Sequence, residues 1–344
     1  MPSGPTGRPA TIYDVAALAK LSIATVSRVL QGTGPVSAKA RARVDQAAQE
    51  LNYVPLRAAR SLAVQRHEAH GLVLPDLAGP FYGDLLMGYE RWAGEHGQSV
   101  IITVGQGNPR SIRDLASRVD GMVVHADAVA DPMIQDLRKA GVPIVLIAHP
   151  PIPGCDSVRS ENLVSAEQLT GRLLDSGRKN LLFVGDPATP YDAPARYAGF
   201  CTAHTNRGLT APEPARVELN EASGAEFAEQ LLQAKTLPDG LVCGNDETAV
   251  AAMKVLQKAG VSIPGDLAVT GWDDVMAARY VTPGLTTVRQ PIAELGRLAA
   301  QRLHERVTGE RSRARNDVLA TELVLRDSCG TSPGDAQQEL RSKT

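Results

Sequence analysis

Apolar residues recur three and four positions apart over the first fifty residues; from about residue 68 they gather instead into short runs. The first pattern is that of amphipathic helices, the second that of buried strands. Ile12, Val15, Ala16 and Ala19 predict a first helix with a narrow apolar face. Val26, Val29 and Leu30 predict a second helix, and Val44, Ala47, Ala48 and Leu51 a third. Each has a start signal. Thr11 followed by Asp14 resembles a capping box, and Ser22 and Ser37 are good N-caps. Asn52 and Pro55 end the third helix.

The later runs read GLVLP (71–75), SVIITV (99–104), GMVVHA (121–126), PIVLIAH (143–149), LLFVGD (181–186), GLVCG (240–244) and LAVTGW (267–272). Helical stretches follow most of them, for example over 82–97, 132–140, 167–175, 195–207 and 246–259. Strands that alternate with helices and are apolar throughout imply an α/β fold, with doubly wound parallel sheets covered on both faces. Roughly 260 residues is long for one such unit, so two sub-domains are expected.

Composition narrows the class. The chain has 344 residues, 43% of them hydrophobic, and a formal net charge of −2, as a globular protein would. Its four cysteines, Cys155, Cys201, Cys243 and Cys329, are far apart and form no CxxC pair. That spacing argues against a zinc site or a disulfide framework and suits a reducing compartment. The first residues hold no apolar run that could serve as a signal-peptide core, and no apolar stretch approaches the length of a membrane span. A cytoplasmic protein is expected, with no metal and no cofactor.

Charge is unevenly spread. Up to residue 66, nine basic residues face three acidic ones, so the rest of the chain is strongly acidic. A basic head suggests a polyanionic partner, although charge alone leaves a solvated basic face as the other reading. The second helix sharpens the first reading. Ile23, Ala24, Thr25, Ser27 and Arg28 lie at its N-terminal end and outward, where a helix-turn-helix touches base edges. Arg28 can fork onto a guanine, Ile23 and Ala24 can offer apolar contact to thymine methyls, and Thr25 and Ser27 suit phosphate oxygens.

The stretch ATIYDVAALAKLSIATVSRVLQGTGPVSAKARARVDQAAQELNYVPLRAARSLA resembles the head of the lactose-repressor (LacI/GalR) family of bacterial regulators. PDLAGPFY, GNDETAVAAM, IPGDLAVTGWDD and LTTVRQP resemble that family's effector domain, which is similar to periplasmic sugar-binding proteins. The resemblance implies a transcription regulator, most simply a repressor, that binds a pseudo-palindromic operator as a homodimer. It places Ile23 and Ala24 at the variable specificity positions and Arg28 at a base-reading position. It makes 55–67 a hinge helix and linker whose Leu62 wedges a base step while Ala59 lets paired hinges approach. It places Phe81, Tyr82, Arg196, Asn245, Asp273 and Gln290 in contact with a small, sugar-like effector. The expected division is a head (1–54), the hinge, one sub-domain from 68–160 plus 289–318, another from 161–288 plus 319–330, and a disordered tail (331–344). The tail has no repeated leucine heptads, so a dimer rather than a tetramer is expected.

Three residues depart from the family pattern. Lys20 stands where glycine is usual in the turn, at a cost on the order of 1 kcal/mol if φ is positive there. Arg178 replaces a usual His, and Trp272 a usual Phe or Tyr. Since Trp272 adjoins Asp273, it is expected to alter the size of the effector pocket. Two other functions compete with this one. A sugar kinase-like enzyme needs a phosphate-cradling loop, and the nearest stretch, 105–110, fits neither GxGxxG nor GxxxxGK[ST]. A periplasmic-type sugar-binding protein has no use for the basic head.

Overall fold

Among the described residues three short helices form the head: α1 (Ile12–Ala19), α2 (Ile23–Gln31) and α3 (Ala38–Glu50). The caps are those the sequence signals. The Asp14 carboxylate accepts from the Thr11 amide and hydroxyl at 2.8 and 2.7 Å. Ser22 Oγ accepts from Thr25 N and Ser37 Oγ from Ala40 N, both at 3.2 Å. Val15, Ala16, Ala19, Val26, Val29, Val44 and Ala47 meet in one small core, with Leu30 and Leu51 packed at its margin. The alanines of α1 leave room for α2 to approach. Asn52, at φ 47, turns the chain out of α3.

The computed structural model describes residues 8, 10–32, 34–54, 66–105, 108–189 and 192–330. The expected hinge, with Ala59 and Leu62, and the tail 331–344 lie outside the described residues. Contacts divide the chain into residues 1–67 and 68–344.

The second unit is built on parallel sheets. One has six strands in the order β10-β5-β4-β3-β1-β2, namely Asn316–Leu319, Asp156–Ser160, Ile144–Ile147, Gly121–His125, Ala69–Leu74 and Ser99–Val104. Every pairing in it is parallel. Helices α4 (Pro80–Glu95) and α12 (Ile292–Thr308) cover one face; α5 (Pro109–Ala116) and α6 (Asp131–Lys139) cover the other. The other parallel sheet has the order β6-β7-β8, from Leu181–Val184, Gly240–Cys243 and Ala268–Thr270. It lies between α7 (Leu163–Asp175) with α8 (Asp192–Thr205), and α9 (Glu221–Leu231) with α10 (Asp246–Lys258). A short helix, α11 (Met276–Tyr280), and the antiparallel pair β9 (Thr287–Arg289) and β11 (Glu322–Val324) complete this lobe. Among the described residues the chain passes between the two lobes three times, after β5, after β9 and after β10.

Where expectation and structure differ, polar groups explain it. The helix expected from residue 167 begins at Leu163, because the Glu161 carboxylate caps Val164 N and Ser165 N at 2.7 and 2.9 Å. Strand β5, DSVRS, was not anticipated because it has no apolar run. Its Asp156 is buried against Arg311 at 2.7 Å, and Ser157 donates to His149 O at 2.7 Å. Paired in this way, polar residues can occupy a central strand.

Candidate functional site

Two places concentrate functional side chains. In the head, α1 ends at Lys20 in the left-handed region (φ 51, ψ 48), where its N–H and that of Leu21 return to the last carbonyls of α1. Lysine therefore adopts the glycine-like conformation that the turn requires. Arg43 of α3 donates to the Lys20 carbonyl at 3.4 Å and ties the turn to the third helix. Beyond it α2 starts, with Ile23, Ala24 and Arg28 exposed on one side and Thr25 and Ser27 half-buried. The Thr25 hydroxyl lies 2.9 Å from Ser22 Oγ, so it supports the cap as well as the outward face. The exposed residues run along the face turned away from the buried Val26 and Val29, a shape suited to entering a groove.

In the second unit a cleft of about 500 Å³ lies at the carboxyl ends of the strands of both lobes. All six residues expected to meet an effector line it: Phe81, Tyr82, Arg196, Asn245, Asp273 and Gln290. Phe81 and Tyr82 come from the first turn of α4, entered through Gly79 and Pro80. Arg196 projects from α8. It is held by Asn162 Oδ1 at 2.8 Å, the Gly244 carbonyl at 2.6 Å and Asp192 at 3.2 Å. Asn245 caps α10 through Thr248 N at 3.0 Å and also donates to the Leu219 carbonyl, so its capping and cleft-lining roles coexist. Gln290 donates to Asp273 Oδ1 at 2.6 Å.

The backbone at Asp273 and Asp274 is strained, with φ of 116 and 57. Such non-glycine conformations cost on the order of 1–3 kcal/mol and gather at functional sites. Neither aspartate caps the following helix, whose N-cap is Val275. Burial raises the Asp273 carboxyl to about 6; Arg196 and the Gln290 hydrogen bond oppose the rise, and Asp192 and Glu247 add to it. Asp246, just inside α10, is buried, and its carboxyl is pushed well above the usual range by burial and then by Asp273. It accepts from Thr287 Oγ1 at 2.6 Å and Val275 N at 2.9 Å, and so fixes the loop that carries Asp273.

The sequence reading missed several lining residues: Asp76, His125, Asp127, Asp192, Glu218 and Glu247. Asp76 and Asp127 immediately follow strand ends, so the rule that ligands gather there would have found them. Asp192 and Glu218 lie away from any strand end and carry no such signal. One expectation is corrected. Trp272 does not line the cleft; it is 2% exposed and lies in the lobe core, with the Arg196 guanidinium 4.5 Å above its ring. It supports a cleft residue from behind and leaves the cleft's width to others. Arg178, the other departure, donates to the carbonyls of Asp239 and Pro264 at 3.1 and 2.7 Å, joining loops remote from the cleft. Among the described residues, no group of three or more His, Cys, Asp or Glu is placed to hold a metal ion. No helix among them is long and apolar enough to cross a membrane.

A capped helix-turn-helix head together with a two-lobed α/β unit around a polar cleft defines a DNA-binding transcription regulator that carries a small-molecule site. Comparison with known proteins agrees. Residues 11–55 match the family described as bacterial regulatory proteins, lacI family, and residues 170–329 match the periplasmic binding protein-like domain. The chain is 32% identical over 308 residues to the ribose operon repressor of Escherichia coli (strain K12), covering 87% of this chain and 93% of that one. It therefore belongs to the LacI family of bacterial transcription regulators. Among solved structures it is similar to the lac repressor dimer bound to operator and the anti-inducer ONPF, with a TM-score of 0.84, 26% identity and coverage of 94% and 99%. It is also similar to a complex of the transcriptional regulator CelR with cellobiose, with a TM-score of 0.71, 30% identity and coverage of 93% and 99%.

Proposed function

We propose that the protein is a repressor that binds a pseudo-palindromic operator as a homodimer and is switched by a small polyhydroxylated effector in the cleft. The convergence of Phe81, Tyr82, Arg196, Asn245, Asp273 and Gln290 on that one cleft is the observation that carries the reading. Aromatic faces beside carboxylate, amide and guanidinium groups are what a hydroxylated ring needs: flat apolar contact and paired donors and acceptors. In the head, Arg28 supplies the polar base contact and Ile23 and Ala24 apolar ones, while Thr25 and Ser27 meet the backbone. The sugars and operators in the relatives' names support this reading, as does the dimer in the lac repressor structure. Ala59 and Leu62 are assigned to the hinge by the family resemblance.

The reading is one of binding without catalysis, in the cytoplasm where the chromosome is. An operator-binding titration with and without a cleft ligand tests it. Coupling of this kind is typically 1–3 kcal/mol, so operator affinity should change by about 5- to 150-fold when the cleft is filled. Identical affinity under both conditions would sink the switching claim.

A further inference from the structure

The cleft is lined chiefly by acids among its charged groups. Among the described residues six carboxylates line it, from Asp76, Asp127, Asp192, Glu218, Glu247 and Asp273, against a single guanidinium, that of Arg196. That guanidinium is already committed. Nε, Nη1 and Nη2 each donate to a protein acceptor, and its flat face lies over Trp272. His125 adds no cation, because burial lowers its pKa and outweighs the opposing effects of the Ala126 carbonyl, 2.7 Å from its Nδ1, and of Asp192, Asp127 and Asp76. An entering phosphate or carboxylate would meet like charge on most sides.

Beside these acids three rings form a corner. Phe81, Tyr82 and His125 stand 5.5–5.7 Å apart, centroid to centroid, and pairwise nearly perpendicular, at 72–88°. Burial, followed by the charges of Asp76, Asp127, Asp273 and Glu247, pushes the Tyr82 phenol above its ordinary value. Four of the six carboxylates thus act on the Tyr82 ring, and Glu247 Oε2 and the Tyr82 ring both border Gly79. Asp273 is nine-tenths buried, and its Oδ1 alone accepts a hydrogen bond among the described residues. Aromatic rings with carboxylates at their rim are the chemistry that recognises an organic cation, the more strongly as water is excluded.

We propose that the effector carries a protonated amine, which sits in the corner of Phe81, Tyr82 and His125 and is paired by Asp273 and Glu247. This rests on the reading of the cleft as the effector site, and it requires the ligand to bear an ammonium group, whether on a hydroxylated ring or on an open chain. Either an amino sugar or an open-chain polyamine supplies that chemistry.

The test is calorimetry on the full-length chain with matched probes: glucose and galactose, their 2-amino derivatives, the N-acetyl forms of those derivatives, glucose 6-phosphate, and putrescine. The 2-amino sugars should bind at least about tenfold more tightly than their neutral parents, the equivalent of about 1.4 kcal/mol. N-acetylation should abolish the gain, and the phosphate should not bind. Glu247→Gln should shrink the ratio of amino-sugar to neutral-sugar affinity, whatever it does to neutral-sugar binding itself; an unchanged ratio would overturn the pairing. Putrescine binding more tightly than the amino sugars would assign the amine to an open chain and keep the proposal. Equal or tighter binding of neutral or N-acetyl sugars, binding of the phosphate, or no binding by any amine would overturn it. If neutral sugars bind and shift operator affinity, the effector reading survives and the amine is lost. If amines bind with the expected preference but leave operator affinity unchanged, the amine stands and the switching reading falls.

Discussion

Replacing Asp273 by Asn should make the protein more stable and, at the same time, less responsive to its effector. Asp273 is 9% exposed, and its carboxyl is held at about 6 against an ordinary 3.8, chiefly by burial. At pH 7 the group is ionised in both the folded and the unfolded chain. Folding therefore carries the cost of that gap of about two pH units, or about 3 kcal/mol as an upper figure. The amide keeps an oxygen for the Gln290 hydrogen bond, and asparagine tolerates positive φ better than most residues. Against this, the attraction to Arg196 is lost. A net gain of about 1–3 kcal/mol is expected, or a Tm rise of about 2–8 °C for a unit of this size.

The pH dependence gives the experiment its power. The folded pKa lies above the unfolded one, so the folded chain takes up the proton first as pH falls. The stability contributed by protonated Asp273 is complete below 3.8 and is lost as pH rises through about 6. The variant's advantage should be full at pH 7.5 and nearly gone at pH 4. Thermal unfolding of Asp273→Asn and the parent at both pH values reads this directly. A variant no more stable at pH 7.5, or an advantage independent of pH, would refute the charge-burial argument. The same variant should show a smaller thermal shift with any ligand of the cleft.

Four other outcomes are expected. Arg28→Ala should weaken operator binding by about 1–3 kcal/mol and relax preference at one base pair, read by a binding titration against single-base operator variants; a uniform loss on operator and random DNA would contradict a base contact. Asp274→Asn should destabilise by about 2–4 kcal/mol in chemical unfolding, because the fully buried carboxylate holds both Arg289 and Arg326; a rise in stability would contradict that pairing. Gly88→Ala should cost about 3 kcal/mol or more, since a Cβ there would fall on the Ala293 backbone where α4 crosses α12; alanine instead stabilises an ordinary helix interior by about 1 kcal/mol, so the sign alone decides. The His70 imidazole, fully buried and held at about 4 by burial and then by the nearby His304, should titrate near 4 by NMR. The stability it contributes is present above 6.5 and is lost as pH falls through about 4; a midpoint near 6.5 would refute its burial as neutral.

Most of the fold could be read from the chain because its signals are local. The helix starts at Ser22 and Ser37 depend on one hydroxyl and an amide three residues away. SVIITV forms β2 at the bounds its apolar run gives, Ser99–Val104. What could not be read depends on partners distant in sequence. Strand β5 is buried because Arg311 and Arg315 come from more than 150 residues away to satisfy Asp156. The cleft was legible where the family resemblance fixed positions, at Phe81, Tyr82, Arg196, Asn245, Asp273 and Gln290. Its acidic excess was not, since Asp192 and Glu218 meet Asp76 and Asp127 only once both lobes are folded.

Asp273 and Asp274 show the limit most plainly, because adjacent identical residues do opposite work. The chain enters both at positive φ, and this turn sends one carboxylate into the cleft and the other into the lobe. Asp274 is satisfied by two guanidinium groups, one on β9 just before a crossing between lobes and one just past β11. Its charge is neutralised and stabilising. Asp273 has an amide from Gln290, a guanidinium already shared with other acceptors, and no dedicated cation among the described residues. A buried carboxylate in that state is poorly compensated until something in the cleft supplies the missing positive charge or donors. A ligand that does so meets Asp273, which exchanges backbone hydrogen bonds with Val288 and Gln290 beside that same crossing. The strain and the poorly compensated charge are thus stored one residue from the ion pairs that fasten the lobes' connections. Local propensity favours neither aspartate for this role; the backbone turn alone separates them.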